Sequence, residues 1–208
     1  MTFIKICGIT TRAQAMAVAE MGADALGFIF YPGSPRYIAP DAVRDIVASL
    51  PPFITSVGVF VNEPVARVAA VATYAGLDLV QLHGSESVEY CRNLRARAIK
   101  AVRLRGESDL QELTCYRGTV RGILLDAWSD KALGGTGEHC DWTLAARAGA
   151  LIGMPLILAG GLHPGNVCEA IRQVRPYGVD ASSCLELRPG FKDLSLVQDF
   201  IDRIKGPG

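Results

Sequence analysis

The sequence has no surplus of charge of either sign: 21 Lys and Arg stand against 21 Asp and Glu. That balance argues against an extended basic surface for nucleic acid and against an acidic tail. Any anionic ligand must then be held by local geometry. There is no CxxC pair. The six cysteines (Cys7, Cys91, Cys115, Cys140, Cys168 and Cys184) are scattered with no histidine at ligand spacing, which fits reduced thiols better than a disulfide frame or a metal site. No apolar run approaches the roughly 18 residues of a membrane span. The opening "MTFIKICG" has no basic stretch followed by a long apolar one, so no signal peptide and no membrane partner are expected, and the expected compartment is the cytoplasm. Low-complexity segments and linkers are missing too. With half of 208 residues hydrophobic, the chain can bury one core, and a single domain over residues 1–208 is expected.

What the sequence does have is a beat of short apolar runs. "FIKIC" (3–7), "ALGFIF" (25–30), "SVGVF" (56–60), "LVQLH" (79–83), "IKAVR" (99–103), "GILLD" (122–126), "PLILA" (155–159) and "GVDAS" (178–182) are rich in Ile, Val, Leu and Phe and bounded by Gly, Pro or polar residues. Such runs mark strands buried on both faces of a parallel sheet. Helical signals fill most gaps. "TTRAQAMAVAEMGA" offers a threonine cap and a glycine stop, "APDAVRDIVASLPP" a proline near the helix start, and "NEPVARVAAVATYAGLD" Asn62 as cap and Gly76 as stop. Eight strand–helix units averaging about 26 residues predict an α/β fold, a compact (β/α)8 TIM barrel, smaller than the roughly 250 residues usual for the type. The competing doubly wound sheet fits less well, because no GxGxxG follows the first strand.

Two strand-to-helix connections are long, "YPGSPRYIAP" after strand two and "AWSDKALGGTGEHCD" after strand six. Both belong to the face where barrels of this kind carry their active sites. Strands seven and eight end in "LAGGLHPGNV" and "DASSCLE", and the loops after these two strands are the usual phosphate site of the fold. The candidate phosphate donors are the amides of Gly160, Gly161, Ser183 and Cys184 with the hydroxyls of Ser182 and Ser183. Asp126 closes strand six, where a carboxylate has no packing role. Cys7 closes strand one at the same mouth, although free cysteines are commonly just small buried hydrophobes. His83 closes strand four as a possible substrate contact. Arg36, tethered by Pro35, is suited to grip a carboxylate. Lys5 should face the barrel interior a layer below the mouth, which makes a Schiff-base mechanism the weaker reading.

In the stretches "KICGIT", "GFIFYPGSPRYI", "VGVFVN", "VQLHGSE", "LLDAW" with "GGTGEHCDW", "LAGGLHPGNV" and "GVDASSCLELRPGFKD", the chain resembles the phosphoribosylanthranilate isomerase family of tryptophan biosynthesis. The resemblance runs in order from residue 5 to residue 193. It implies a (β/α)8 barrel acting without metal or organic cofactor on a small phosphorylated substrate. It further implies Cys7 as general base, Asp126 as general acid and Arg36 at the anthranilate end. A carboxyl with a raised pKa would supply the acid, and a thiol with a lowered one the base. One position departs from the pattern: Cys184 stands where the family usually has glycine. The chain is expected to act as a monomer. A related histidine-pathway isomerase would carry aspartate at the end of strand one, and an epimerase of this fold would need metal ligands that histidines 83, 139 and 163 do not supply. A phosphate-binding protein without catalysis would not need both Cys7 and Asp126.

Overall fold

Eight apolar runs become eight parallel strands: β1 (Phe3–Cys7), β2 (Ala25–Ile29), β3 (Thr55–Phe60), β4 (Leu79–Leu82), β5 (Ala98–Val102), β6 (Ile123–Asp126), β7 (Leu156–Ala159) and β8 (Gly178–Ala181). They belong to a computed structural model that describes residues 2–104, 106–126 and 142–206. Each strand pairs with the next, and β8 returns to β1 through Phe3↔Gly178, Ile4↔Val179, Lys5↔Asp180 and Ile6↔Ala181, so the barrel is closed. Closure leaves the barrel without an unpaired edge. The (β/α)8 expectation holds. His83 and Ser182 lie one residue beyond their strands.

Helices α1 (Arg12–Glu20), α2 (Pro40–Val47), α3 (Val65–Ala75), α4 (Val88–Asn93), α5 (Ser108–Leu113), α6 (Trp142–Ile152), α7 (Val167–Val174) and α8 (Leu194–Lys205) surround the strands. Their ends follow local chemistry. The Thr11 side chain accepts from the Gln14 amide, Pro40 opens α2, and Gly76 ends α3 in the left-handed region. Asn62 is not the cap of α3, as the sequence suggests. Pro64 holds that place, and Asn62 takes a left-handed φ of 53° in the preceding turn, a conformation asparagine tolerates. Its Oδ1 accepts from the Ser85 amide at 2.7 Å and its own amide donates to Glu86 Oε1 at 2.8 Å. The residue therefore stitches the end of β3 to the loop after β4.

Strand alternation divides the core in two. Ile4, Ile6, Leu26, Phe28, Ile123, Leu125, Leu158 and Val179 pack outward against Val18, Val43, Val68 and Phe200 of the helices, all essentially buried. Each such side chain contributes about 1.5–3 kcal/mol by leaving water. Ile99, Ala101, Leu124 and Ala159, with Leu79 and Ile157, fill the barrel interior on the β4–β7 side. The β8–β1 side is filled instead by a buried ion pair, Lys5 Nζ to Asp180 Oδ2 at 2.8 Å. After β8 the chain forms a small hairpin, β9 (Glu186–Arg188) and β10 (Phe191–Lys192), turning at Gly190 with φ 81°. Among the described residues, no helix is long and apolar enough to cross a membrane.

Candidate active site

The turn after β1 aims Cys7 at the mouth. The amides of Gly8 and Ile9 both donate to the Gly27 carbonyl, and Gly8 takes φ 82°. Gly27 on the neighbouring strand leaves room for the thiol, since a Cβ there would lie 2.6 Å from Cys7 Sγ and 3.1 Å from Lys5 Nζ. Sulfur and ammonium thus share one glycine-lined space. Burial pushes the Cys7 thiol up, the Lys5 ammonium pulls it down, the Asp180 carboxylate pushes it up again, and the net is above the ordinary thiol range. Lys5 itself loses by burial but gains more from Asp180, so it stays cationic. A cation paired below the mouth is no Schiff-base nucleophile.

Asp126 ends β6, three strands from β1 around the ring. Its Oδ2 lies 3.6 Å from His83 Nε2 and 3.6 Å from Arg103 Nε. Burial pushes this carboxyl up, but His83 and then Arg103 outweigh it, and the net falls below the ordinary carboxylate range. The raised pKa expected for an acid is therefore not that of the free chain, and the cause is these two N–H partners from the ends of β4 and β5. His83 is held in turn: Gln81 Nε2 meets its Nδ1 at 2.8 Å. An amide NH2 can only donate, so with this assignment Nδ1 accepts and the Nε2 hydrogen faces Asp126.

In the loop after β2, the amides of Ser34 and Tyr37 donate to the carbonyls of Tyr31 and Ser34, and Ser34 Oγ accepts from the Arg36 amide at 3.1 Å. Arg36 is carried across Gly8, whose missing Cβ would sit 2.7 Å from Arg36 Cδ. Beyond β7, Gly160 and Gly161 take φ 89° and 66°, and Asn166 Nδ2 donates to the Gly161 carbonyl at 3.0 Å. Beyond β8, Ser183 and Cys184 open a short 3-10 turn, whose first amides have no preceding turn to bond to. Ser182 Oγ donates to the Cys7 carbonyl at 3.0 Å. That hydroxyl hydrogen is committed to the strand end and is not available to a ligand.

Every residue the sequence singled out (Cys7, Arg36, His83, Asp126, Gly160, Gly161, Ser182, Ser183 and Cys184) lines one cavity of about 180 Å³. A second hollow of about 450 Å³ adjoins it over β4–β6 and shares His83 and Asp126. The loop after strand six, with Cys140, lies outside the described residues. Sequence reasoning missed Gln81, Glu186 and Lys192 and gave Asp180 no role. Gln81 Oε1 and Asp180 Oδ1 are buried at the cavity without a donor among the described residues, the kind of group that ordered water or a ligand satisfies.

The family described as N-(5'phosphoribosyl)anthranilate (PRA) isomerase matches residues 4–203. The N-(5'-phosphoribosyl)anthranilate isomerase of Geobacter sulfurreducens is 51% identical over 206 residues, 99% of this chain and 100% of that protein. A crystal structure of a phosphoribosyl anthranilate isomerase in complex with reduced 1-(o-carboxyphenylamino)-1-deoxyribulose 5-phosphate superposes with a TM-score of 0.89 at 44% identity, over all of both chains. Monomers generated from the dimeric enzyme of Thermotoga maritima give 0.88 at 42% identity, again over the full length of both. A match of this extent, on a closed eight-stranded barrel with its polar residues gathered at one mouth, settles the assignment: the chain belongs to the N-(5'-phosphoribosyl)anthranilate isomerase family.

Proposed function

We infer that this chain isomerises N-(5-phosphoribosyl)anthranilate to 1-(2-carboxyphenylamino)-1-deoxy-D-ribulose 5-phosphate, an Amadori rearrangement in tryptophan biosynthesis. The observation that carries the reading is the meeting of a thiol, a carboxyl, an arginine and two amide-rich loops around one cavity. Each matches a need of the substrate. The furanose must open, so Asp126 in its acid form protonates the ring oxygen as the C1–O bond breaks and the anilino nitrogen forms a cationic imine. That imine acidifies the C2 hydrogen, which the Cys7 thiolate removes. The electron pair moves to C1=C2 and neutralises the nitrogen. The enolamine then ketonises, C1 taking a proton as the C2 hydroxyl loses one. The substrate nitrogen is the electron sink.

The free chain holds the opposite protonation, a thiol at Cys7 and a carboxylate at Asp126. The productive form has the same net charge with one proton moved. Seating the substrate displaces water from Asp126, which adds to the upward push of burial, and the developing imine cation favours the thiolate. Arg36 receives the anthranilate carboxylate. The amides of Gly160, Gly161, Ser183 and Cys184 receive the phosphate, and the unsatisfied oxygens of Gln81 and Asp180 face the sugar hydroxyls. The chain works as one barrel domain and as a monomer in the cytoplasm. In support, one chain supplies every residue of the reading, and the five described cysteines are unbridged. Light scattering near 22.2 kDa, not twice that, checks the monomer.

The test is consumption of the fluorescent anthranilate conjugate by purified protein with EDTA present and nothing added. Turnover is expected. Activity lost on chelation and restored by a divalent metal would contradict the mechanism.

A further inference from the structure

The β9–β10 hairpin brings two charged side chains to the mouth and buries both: the side chain of Glu186 is 3% exposed and that of Lys192 0%. Glu186 Oε1 accepts from Lys192 Nζ and Arg36 Nε, each at 2.9 Å. Its Oε2 accepts from Arg36 Nη2 at 2.7 Å and Nε at 3.0 Å. Lys192 Nζ also donates to the Ser182 carbonyl at 3.1 Å, and Ser182 Oγ to the Cys7 carbonyl at 3.0 Å. One continuous chain of hydrogen bonds therefore joins Arg36 to the strand end that carries Cys7.

We propose that Glu186 and Lys192 are positioning residues, which hold one edge of the Arg36 guanidinium so that its other edge meets the substrate's carboxylate at a set distance from Cys7. The inference rests on the reading that Arg36 receives that carboxylate. Two cations share one anion, so the cluster keeps one net positive charge at the mouth. Glu186 takes the Nε and Nη2 donors, and of the five N–H bonds in the fork those on Nη1 and one on Nη2 are left for a ligand. Fixing an arginine beforehand removes the ordering cost that a free side chain would add to binding.

A purely structural role for Glu186 would be to hold the hairpin down, and its Oε1 does accept from the Gly190 amide at 3.4 Å, yet the hairpin is fastened without that contact. Thr10 Oγ1 and Gln14 Nε2 donate to the Gly190 carbonyl at 2.5 and 3.3 Å, and the Lys192 amide donates to Gln14 Oε1 at 3.0 Å. The Asp193 amide bonds the Leu185 carbonyl at 3.0 Å. Arg36 reaches in from a different loop, and its contact with Glu186 adds orientation where the cavity is lined. Burial pushes the Glu186 carboxyl up, but Arg36 and Lys192 outweigh it and keep the carboxylate ionised for this task.

The experiment measures competitive inhibition by the reduced aminoketose phosphate and by its counterpart without the carboxylate, for wild type, Arg36→Met, Glu186→Gln and Lys192→Met. The expected result for Glu186→Gln is an affinity about tenfold weaker for the carboxylated ligand and within about twofold of wild type for the other. Lys192→Met should shift in the same direction and serves if Glu186→Gln does not fold. Equal weakening of both ligands, or no weakening, while Arg36→Met abolishes the preference for the carboxylate, overturns the inference. If Arg36→Met keeps that preference, the reading of Arg36 itself has failed.

Discussion

Cys7 ends β1 beside a buried Lys5–Asp180 pair, whereas Asp126 ends β6 beside the N–H groups of His83 and Arg103. Cys7 is buried and Asp126 largely covered, and burial alone would push both upward. The neighbours decide otherwise. At β1, the Lys5 cation is offset by Asp180, burial prevails and the thiol keeps its proton. At β6 two donors face the carboxyl with no adjacent acid among the described residues, and burial loses. On the proposed mechanism the free site holds its proton on the other partner from the working form, so the substrate takes part in preparing its own acid and base.

The largest way to break this comparison is to remove either partner. Cys7→Ser and Asp126→Asn should each lower kcat by roughly 10²–10⁴, the scale for losing a general base or acid. Steady-state turnover checks it, and a Cys7→Ser rate within about threefold of wild type would assign the base elsewhere.

Much of this was legible before the structure. Strands buried on both faces read as continuous apolar runs, so all eight were visible, and strand ends that fall on one face gathered the site residues into one cavity. What escaped depends on partners distant in the chain. Glu186 and Lys192 sit in strands of three and two residues, too short for any periodicity. Arg36, which buries Glu186, lies 150 positions away. The ionisation of Asp126 is set from β4 and β5, and no feature of "GILLD" carries it. Asn62 had the composition of a cap, but the turn after β3 needed a left-handed residue more.

The smallest expected effect concerns Cys184. Among the described non-glycine residues only Asn62 and Arg175 take positive φ, so Cys184 does not need glycine's freedom and offers the same amide. Cys184→Gly should leave KM in phosphate-free buffer nearly unchanged. A fall of about tenfold would show the thiol crowding the phosphate.

The contrast between the two rims is tested most directly by the pH dependence of kcat/KM in the two variants, each taken relative to wild type. Wild type needs a thiolate and a carboxylic acid together. That pair is a constant fraction of the molecules from above the lowered Asp126 pKa to below the raised Cys7 pKa, so its profile is flat there. Asp126→Asn needs only the thiolate, so its relative activity should rise about tenfold per pH unit through the neutral range. Cys7→Ser needs only the acid, so its relative activity should fall about tenfold per unit over the same range. Opposite slopes are the predicted result. Two flat ratios would contradict the assignment, because they would mean that the working forms are the thiol and the carboxylate already present in the free chain.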